Sequence, residues 1–474
     1  MSEIKFGTSG WRGMIADDFT FTNVRIVTQA IAEHLISHGF QERGAVIGHD
    51  TRFLSEAFAH QAAKIVAGND IRAFLCVHET PTPTISYETI RRKAGGAINI
   101  TASHNPAQYN GLKFSSPDGG PALPEITRMI EARVQQLLGS SDLKEVSTEE
   151  AEAKGLLEKI DPREVYLERL RALVDLDVIA SSQMKMVVDV LYGTGRGYLD
   201  EALQKAGCQV KVLHDWRDPY FGHAAPDPSE ENLKELAFHV MEDGCHLGLA
   251  TDGDADRYGI VDADGTFILP NYVLALLLKY LIQSRGWKGA VARSVATTHL
   301  VDAVAKRYGV PVIETPVGFK YIGELISKDL LILGGEESAG LSIKGHIPEK
   351  DGILACLLVA EMLARANKPR VRHLLRDLFL EVGGPVYTRR INFQLEPASM
   401  DRLREKLRYP PFQLGEQKVV QVKDLDGMKL MFGDESWVLF RASGTEPVAR
   451  LYVEARDDVQ MSRLLAAGRD FIHS

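Results

Sequence analysis

Through most of the chain, apolar residues gather in short runs, each followed by a polar turn, a stretch of helical periodicity and another short run. The clearest runs are Gly44-Ala45-Val46-Ile47-Gly48, Met184-Lys185-Met186-Val187-Val188 and Gly289-Ala290-Val291-Ala292-Arg293. Helical periodicity follows at 55–67, 198–206 and 300–308, and second apolar runs at 71–77, 208–213 and 310–314. Strand–turn–helix–strand units of this kind build parallel sheets through right-handed crossovers. The intervals are too long and irregular for a solenoid. Three similar α/β domains in series are therefore expected.

The pattern changes near 366–370. Beyond it come a helical stretch at 400–407, a turn at Tyr409-Pro410-Pro411, and apolar runs at 429–432 and 436–441. These predict a smaller α+β domain. A polar, charged stretch at 139–155 and a turn at 262–265 mark the other boundaries. A chain of 474 residues holds roughly three or four domains of ~100–150 residues. The expected domains are 1–150, 151–263 and 264–370, with similar mixed or parallel sheets, and the C-terminal 371–474.

Charge and composition remove several classes of function. Net charge is −9 with no block of Lys or Arg, so nucleic acid and anionic membranes are not expected partners. The most apolar stretches, 272–282 and 353–364, are short and interrupted by Lys279 and Glu361, so neither spans a bilayer. The N-terminus carries no apolar signal region. Cys76, Cys208, Cys245 and Cys356 are scattered without a C-x-x-C, which argues against a zinc ribbon or a disulfide framework. They read as small buried side chains in a reducing compartment, and a cytoplasmic protein is expected.

Candidate chemistry sits where apolar runs end. Ser103, in Thr101-Ala102-Ser103-His104-Asn105-Pro106, follows the small-residue run 95–100 and precedes an Asn-Pro breaker. A reactive hydroxyl at a strand end fits irregular backbone, but no G-x-S-x-G elbow surrounds it. Asp252-Gly253-Asp254-Ala255-Asp256-Arg257 follows the run 247–250. Its small spacers let the carboxylates converge, and three such oxygens suit magnesium. An EF-hand is excluded, since its sixth and twelfth positions are Arg257 and Ala263.

Asn110-Gly111 signals a turn, after which a returning strand would bring Lys113 toward Ser103 as a proton carrier or fixed cation. Arg441-Ala442-Ser443-Gly444-Thr445-Glu446-Pro447 offers a cation, hydroxyls and a glycine-freed backbone, an anion cradle distinct from a Walker A loop. In Gly335-Glu336-Glu337-Ser338, carboxylate and hydroxyl suit a polyol, although helix capping explains them equally well. The Gly193-Thr194-Gly195 stretch lacks the third glycine of a dinucleotide fingerprint, so NAD is not supported.

Together these motifs, with Gly7-Thr8-Ser9-Gly10-Trp11-Arg12-Gly13, resemble the α-D-phosphohexomutase superfamily in identity and order over nearly the whole chain. The resemblance implies four domains around a central cleft, with a mobile fourth domain. It implies that Ser103 is carried as phosphoserine, with Mg2+ held by Asp252, Asp254, Asp256 and a Ser103 phosphate oxygen. Lys113 and Arg12 would then serve acid–base or phosphate-stabilising roles, with Arg257 and His104 beside them. Glu336 and Ser338 would bind sugar hydroxyls; Arg441, Ser443, Gly444 and Thr445 would hold the phosphate that is not reacting.

Glu336-Glu337-Ser338 resembles the glucose-preferring members. So do the stretch 345–352, with His346 and Lys350 as substrate contacts, and Thr315-Pro316-Val317-Gly318-Phe319-Lys320, with Lys320 as a further one. Ala102 and Ala442 depart from commoner family residues without removing a reacting group. The expected activity is interconversion of glucose 1-phosphate and glucose 6-phosphate through a glucose 1,6-bisphosphate intermediate, which also serves as activator. Phosphomannomutase or dual specificity is the alternative. A non-catalytic sugar-phosphate-binding regulator and a magnesium phosphatase are weaker ones. Hexose phosphates are the expected partners, and both a monomer and a dimer remain open.

Overall fold

In the computed structural model, which describes residues 4–7, 9–140, 142–442 and 448–473, the strand Gly96–Ile100 is buried along its whole length. Small residues let it run through the middle of a seven-stranded sheet. The order is Phe6–Gly7, Gly10–Met14, Tyr109–Ser115, Gly96–Ile100, Ala45–His49, Ala73–Cys76 and Leu157–Ile160. Pairing is parallel from Gly96–Ile100 through Leu157–Ile160 and antiparallel on the other side. The loops after the parallel neighbours Ala45–His49 and Gly96–Ile100 therefore open at the same sheet edge.

The second sheet has the order Phe267–Ile268, Tyr258–Asp262, Leu247–Thr251, Lys185–Asp189, Gln209–Leu213. The third has the order Val312–Thr315, Ala290–Ser294, Leu331–Glu336, Gly340–Ile343. The C-terminal sheet is antiparallel throughout: Tyr387–Gln394, Val448–Ala455, Trp437–Ala442, Met428–Phe432, Gln417–Lys423, Gln413–Leu414. Mixed sheets in three domains and a smaller antiparallel fourth give the α/β class expected from the pattern.

The expected boundaries shift, each for a local reason. Ser147 caps the helix Thr148–Ala153 within the polar stretch read as a linker, and Leu157–Ile160 then adds the edge strand of the first sheet. The turn at 262–265 lies inside the second sheet, because Phe267–Ile268 pairs back on Tyr258–Asp262. Helix Val371–Glu381 buries Val371, Leu375 and Leu378 in the core shared by the second and third domains. That core reaches Val386, past Gly383 and Gly384, both with left-handed φ.

Asn110-Gly111 also differs from its expected role. It lies within the strand Tyr109–Ser115, and the chain reverses earlier, through 101–108. Gly111 is needed there, since a Cβ would sit 2.5 Å from Thr101 O and 2.8 Å from Trp11 O. The returning strand sets Lys113 opposite Asn99.

The helix Gly352–Ala366 runs through the shared core, its residues 352–363 all buried, as a helix apolar on every side requires. Asp351 caps it, accepting from Leu354 N at 2.8 Å. The fourth domain docks on the third through Trp437, Leu439 and Tyr452 against Val295 and Ala296. Among the described residues, all four cysteines are free, and no helix is long and apolar enough to cross a membrane.

Candidate active site

Ser103 lies in the loop that follows the central strand Gly96–Ile100 of the first domain, and Asp252, Asp254 and Asp256 follow the strand Leu247–Thr251 of the second. The two loops meet. Ser103 Oγ donates to Asp252 Oδ2 at 2.8 Å, across 149 positions of chain. Thr82 Oγ1 donates to Asp254 Oδ2 at 2.5 Å, a second tie between the domains. Ser103 and Ala255 both take left-handed φ, +52° and +57°, uncommon for residues with a Cβ. Each is held there by its surroundings, as strained loops at sites usually are.

The triad is buried with cations around it. Lys113 Nζ donates to Asp254 Oδ2 at 2.6 Å and Asp256 Oδ2 at 2.8 Å. Lys350 Nζ lies 3.0 Å from Asp256 Oδ2 and donates to Glu349 Oε1 at 2.9 Å. Burial and the neighbouring Asp254 and Asp256 hold the Asp252 carboxyl well above the usual range. Burial acts the same way on Asp256, but Lys113, Lys350 and Arg257 overcome it and hold that carboxyl low. Lys113 is likewise opposed by burial, and Asp254 and Asp256 raise it, so its ammonium stays charged.

The donor set fits a hard divalent cation. One ligand oxygen from each aspartate lies within 4.8 Å of the others. Asp254 Oδ1 and Asp256 Oδ1 are buried without a hydrogen-bond partner, an arrangement that is costly unless something binds them.

Arg12, Arg257 and His104 close around the same loops. Arg12 Nη1 donates to Asn105 Oδ1 at 2.5 Å, and burial followed by repulsion from Arg257 lowers its pKa to about 10. Arg257 N donates to Asp252 Oδ1 at 3.0 Å, while its Nε is buried without a partner. His104 Nδ1 lies 3.4 Å from Ser103 Oγ. Burial, then Arg257 and Arg12, press the imidazole well below its ordinary pKa, so it is neutral.

The expected sugar and phosphate contacts are spread over the third and fourth domains. Glu336 ends its strand opposite Gly340, with Ser338 in the tight turn between them. Its Oε1 accepts from Gly318 N at 2.7 Å, two residues before Lys320. Lys320 lines a crevice of about 280 Å³ between helix Phe319–Ser327 and the first-domain segment holding Pro117, Asp118 and Gly120; burial lowers its pKa. Arg441 Nε donates to Asp426 Oδ2 at 3.0 Å, and the same oxygen accepts from Val317 N at 3.0 Å. Asp426 thus joins the Arg441 end of the cradle to the loop leading to Lys320. Ser443, Gly444 and Thr445 lie outside the described residues.

His346 is placed differently from the expected substrate contact. Its side chain is fully enclosed, and Nε2 lies 2.7 Å from Asp351 Oδ2, which also accepts from Tyr166 OH at 2.6 Å. It packs at the start of the helix Gly352–Ala366. Lys350, expected beside it as a substrate contact, reaches Asp256. Asp50 and Arg52, which grip the Ser103 loop, escape notice in the sequence because their stretch looks like an ordinary polar turn. A charged pair after a buried strand parallel to Gly96–Ile100 is the available signal.

Burial, then Glu337, raises the Glu336 carboxyl to about 7. A raised carboxyl favours the fold below its unfolded value, and that stability is lost as pH rises through about 7. Glu336→Gln is therefore expected to stabilise the protein by ~3 kcal/mol at pH 8 and by little near pH 4.5. Denaturation midpoints at both pH values check this; an equal gain at each would refute the assignment.

Four family models cover the chain. They are the phosphoglucomutase/phosphomannomutase alpha/beta/alpha domains I, II and III, at residues 3–138, 164–265 and 269–381, and the C-terminal domain at 398–470. A phosphoglucomutase/phosphomannomutase of Thermococcus kodakarensis is 31% identical over 98% of this chain and 97% of its own. Two proteins with provisional names widen the range. A phosphoglucosamine mutase of Methanothermobacter thermautotrophicus is 31% identical over 96% of this chain and 94% of its own. A crystal structure from Thermus thermophilus, named a phosphomannomutase, matches with TM-score 0.86 and 33% identity over 100% of both chains.

Proposed function

The chain belongs to the phosphoglucomutase/phosphomannomutase family of phosphohexomutases, and from that premise we propose that it interconverts glucose 1-phosphate and glucose 6-phosphate through phospho-Ser103. The observation carrying the proposal is the convergence of Ser103, the three aspartates and Lys113 in one buried site. A serine without an activating triad is intelligible there, because its working form is a phosphate ester.

In the forward direction the phosphoryl group passes from Ser103 Oγ to the 6-hydroxyl of glucose 1-phosphate. The P–Oγ bond breaks, a P–O6 bond forms, and one proton moves overall from the sugar hydroxyl to the serine oxygen. Charged Lys113 suits giving a proton to the leaving Oγ, and neutral His104, 3.4 Å from Oγ, suits taking that proton back in the return step, when the serine hydroxyl attacks the 1-phosphate. The glucose 1,6-bisphosphate then reorients and returns its 1-phosphate to Ser103. Asp252, Asp254 and Asp256, with a Ser103 phosphate oxygen, would hold Mg2+, which neutralises charge on the transferring group. Arg12 and Arg257 add fixed cations beside it.

Arg441 and its loop hold whichever phosphate is distal, and Glu336 with Ser338 holds the sugar hydroxyls. Closure by the fourth domain excludes water and retains the bisphosphate. The glucose preference rests on the Glu336-Glu337-Ser338 sequence. A coupled assay over glucose, mannose and glucosamine 1-phosphates, with Mg2+ and trace glucose 1,6-bisphosphate, tests it. Glucose is expected to lead in kcat/KM by at least ~10-fold, the scale set by one or two hydroxyl contacts. Equal or higher efficiency with mannose would overturn the assignment.

A further inference from the structure

We propose that Arg52 is the positioning residue that fixes the reactive conformation of Ser103, an inference that deepens the phosphoserine reading and rests on it. A guanidinium has five N–H donors, and every one here is engaged. Nε donates to Asp50 Oδ2 at 3.1 Å, and Nη1 to Pro106 O at 2.8 Å and Tyr109 O at 3.0 Å. Nη2 donates to Ser103 O at 2.6 Å and Asn105 O at 2.5 Å. The residue is 0% exposed. With no donor left for a phosphate, Arg52 acts on the loop and leaves the substrate to Arg12, Arg257 and Arg441.

The Ser103 peptide is held from its other side as well. Its N donates to Thr101 Oγ1 at 2.9 Å, and that hydroxyl donates to Asp50 Oδ2 at 2.6 Å. Asp50 Oδ1 accepts from Arg52 N at 3.0 Å and Ser55 Oγ at 2.7 Å. The Asp50–Arg52 pair thus grips Ser103 at both its N–H and its C=O. This grip sustains φ of +52° and turns Oγ toward Asp252. The Phe221 ring of the second domain lies 4.9 Å from the guanidinium carbon. The contact joins the grip to the domain that carries the aspartates.

Phosphoryl transfer depends on position, and a displacement of about an ångström costs up to ~100-fold in rate. Lysine keeps the charge but has three donors and no planar fork. Arg52→Lys is therefore expected to lower kcat by ~10–100-fold with KM changed less than about twofold, because no substrate contact is lost. Thr101→Val removes only the second arm and should lower kcat by ~10-fold. Thr101→Ser keeps the hydroxyl and should recover most of that loss.

The readout independent of turnover is the crystal structure of Arg52→Lys and Thr101→Val, where Ser103 should leave the left-handed region. The inference is overturned by an unchanged Ser103 conformation in both variants, or by a KM rise matching the kcat loss. A lowered melting temperature with wild-type kcat would do the same. Absence of turnover in the wild-type protein with every hexose phosphate would instead count against the phosphohexomutase assignment, and the crystal structures would still decide the role of Arg52.

Discussion

Ser103→Ala is expected to lower turnover by at least ~10⁴-fold while the protein remains folded, because the variant removes the atom proposed to carry the phosphoryl group. The side chain makes one strong contact, from Oγ to Asp252 Oδ2 at 2.8 Å. Losing it relieves no steric constraint and opens no sizeable cavity. Alanine meets nearly the same backbone restriction as serine at φ of +52°, and the Arg52 and Thr101 bonds to the main chain survive. Melting temperature and circular dichroism should therefore stay close to wild type. Mass spectrometry of the peptide containing residue 103 should show the phosphoryl increment in wild type after exposure to glucose 1,6-bisphosphate, and none in the variant. Turnover within tenfold of wild type would end the phosphoserine mechanism. A phosphorylated wild-type serine with no isomerisation would end the assigned reaction but leave the serine's role intact.

The reactive loops were legible because each follows a buried strand and contains residues that cannot be explained by burial. The triple alternation of Asp252, Asp254 and Asp256 with small residues needs no partner sequence to suggest a cation. Arg52 was not legible, although its place in the chain is equally regular. Its meaning lies in five acceptors, four of them main-chain carbonyls from residues 103–109, and backbone acceptors leave no mark on the sequence. The place of His346 was not legible for a related reason. A histidine near the sugar motif looks like a ligand contact until Asp351 and Tyr166 are seen to enclose it. A domain limit is hard to place to the residue where a turn also opens a hairpin, as at 262–265, which lies between two paired strands of one sheet. The outer strand Tyr387–Gln394 has no buried residue, so it lacks the apolar run that marks the buried strands.

Asp254→Asn should lower turnover by at least ~10³-fold and also change how the protein responds to magnesium when no substrate is present. In the structure, Lys113 and Lys350 neutralise part of the triad through Asp254 Oδ2 and Asp256 Oδ2, while Asp254 Oδ1 and Asp256 Oδ1 have no partner. The fold can thus form without a divalent ion, and chelation should abolish turnover without unfolding the protein. Adding Mg2+ should then raise the melting temperature modestly, since binding to the folded state alone stabilises it. Lys113→Met removes a cation that the carboxylates share, leaving more of their repulsion for the ion to relieve, so its Mg2+-dependent rise should exceed that of wild type. Asp254→Asn removes a charge from the proposed ligand set and one source of the repulsion that holds Asp252 high, so its rise should be smaller. The order Lys113→Met, wild type, Asp254→Asn follows from charge alone and is read by thermal denaturation with and without Mg2+. Equal rises in all three proteins would mean that the triad is not the metal site, whatever the activities show.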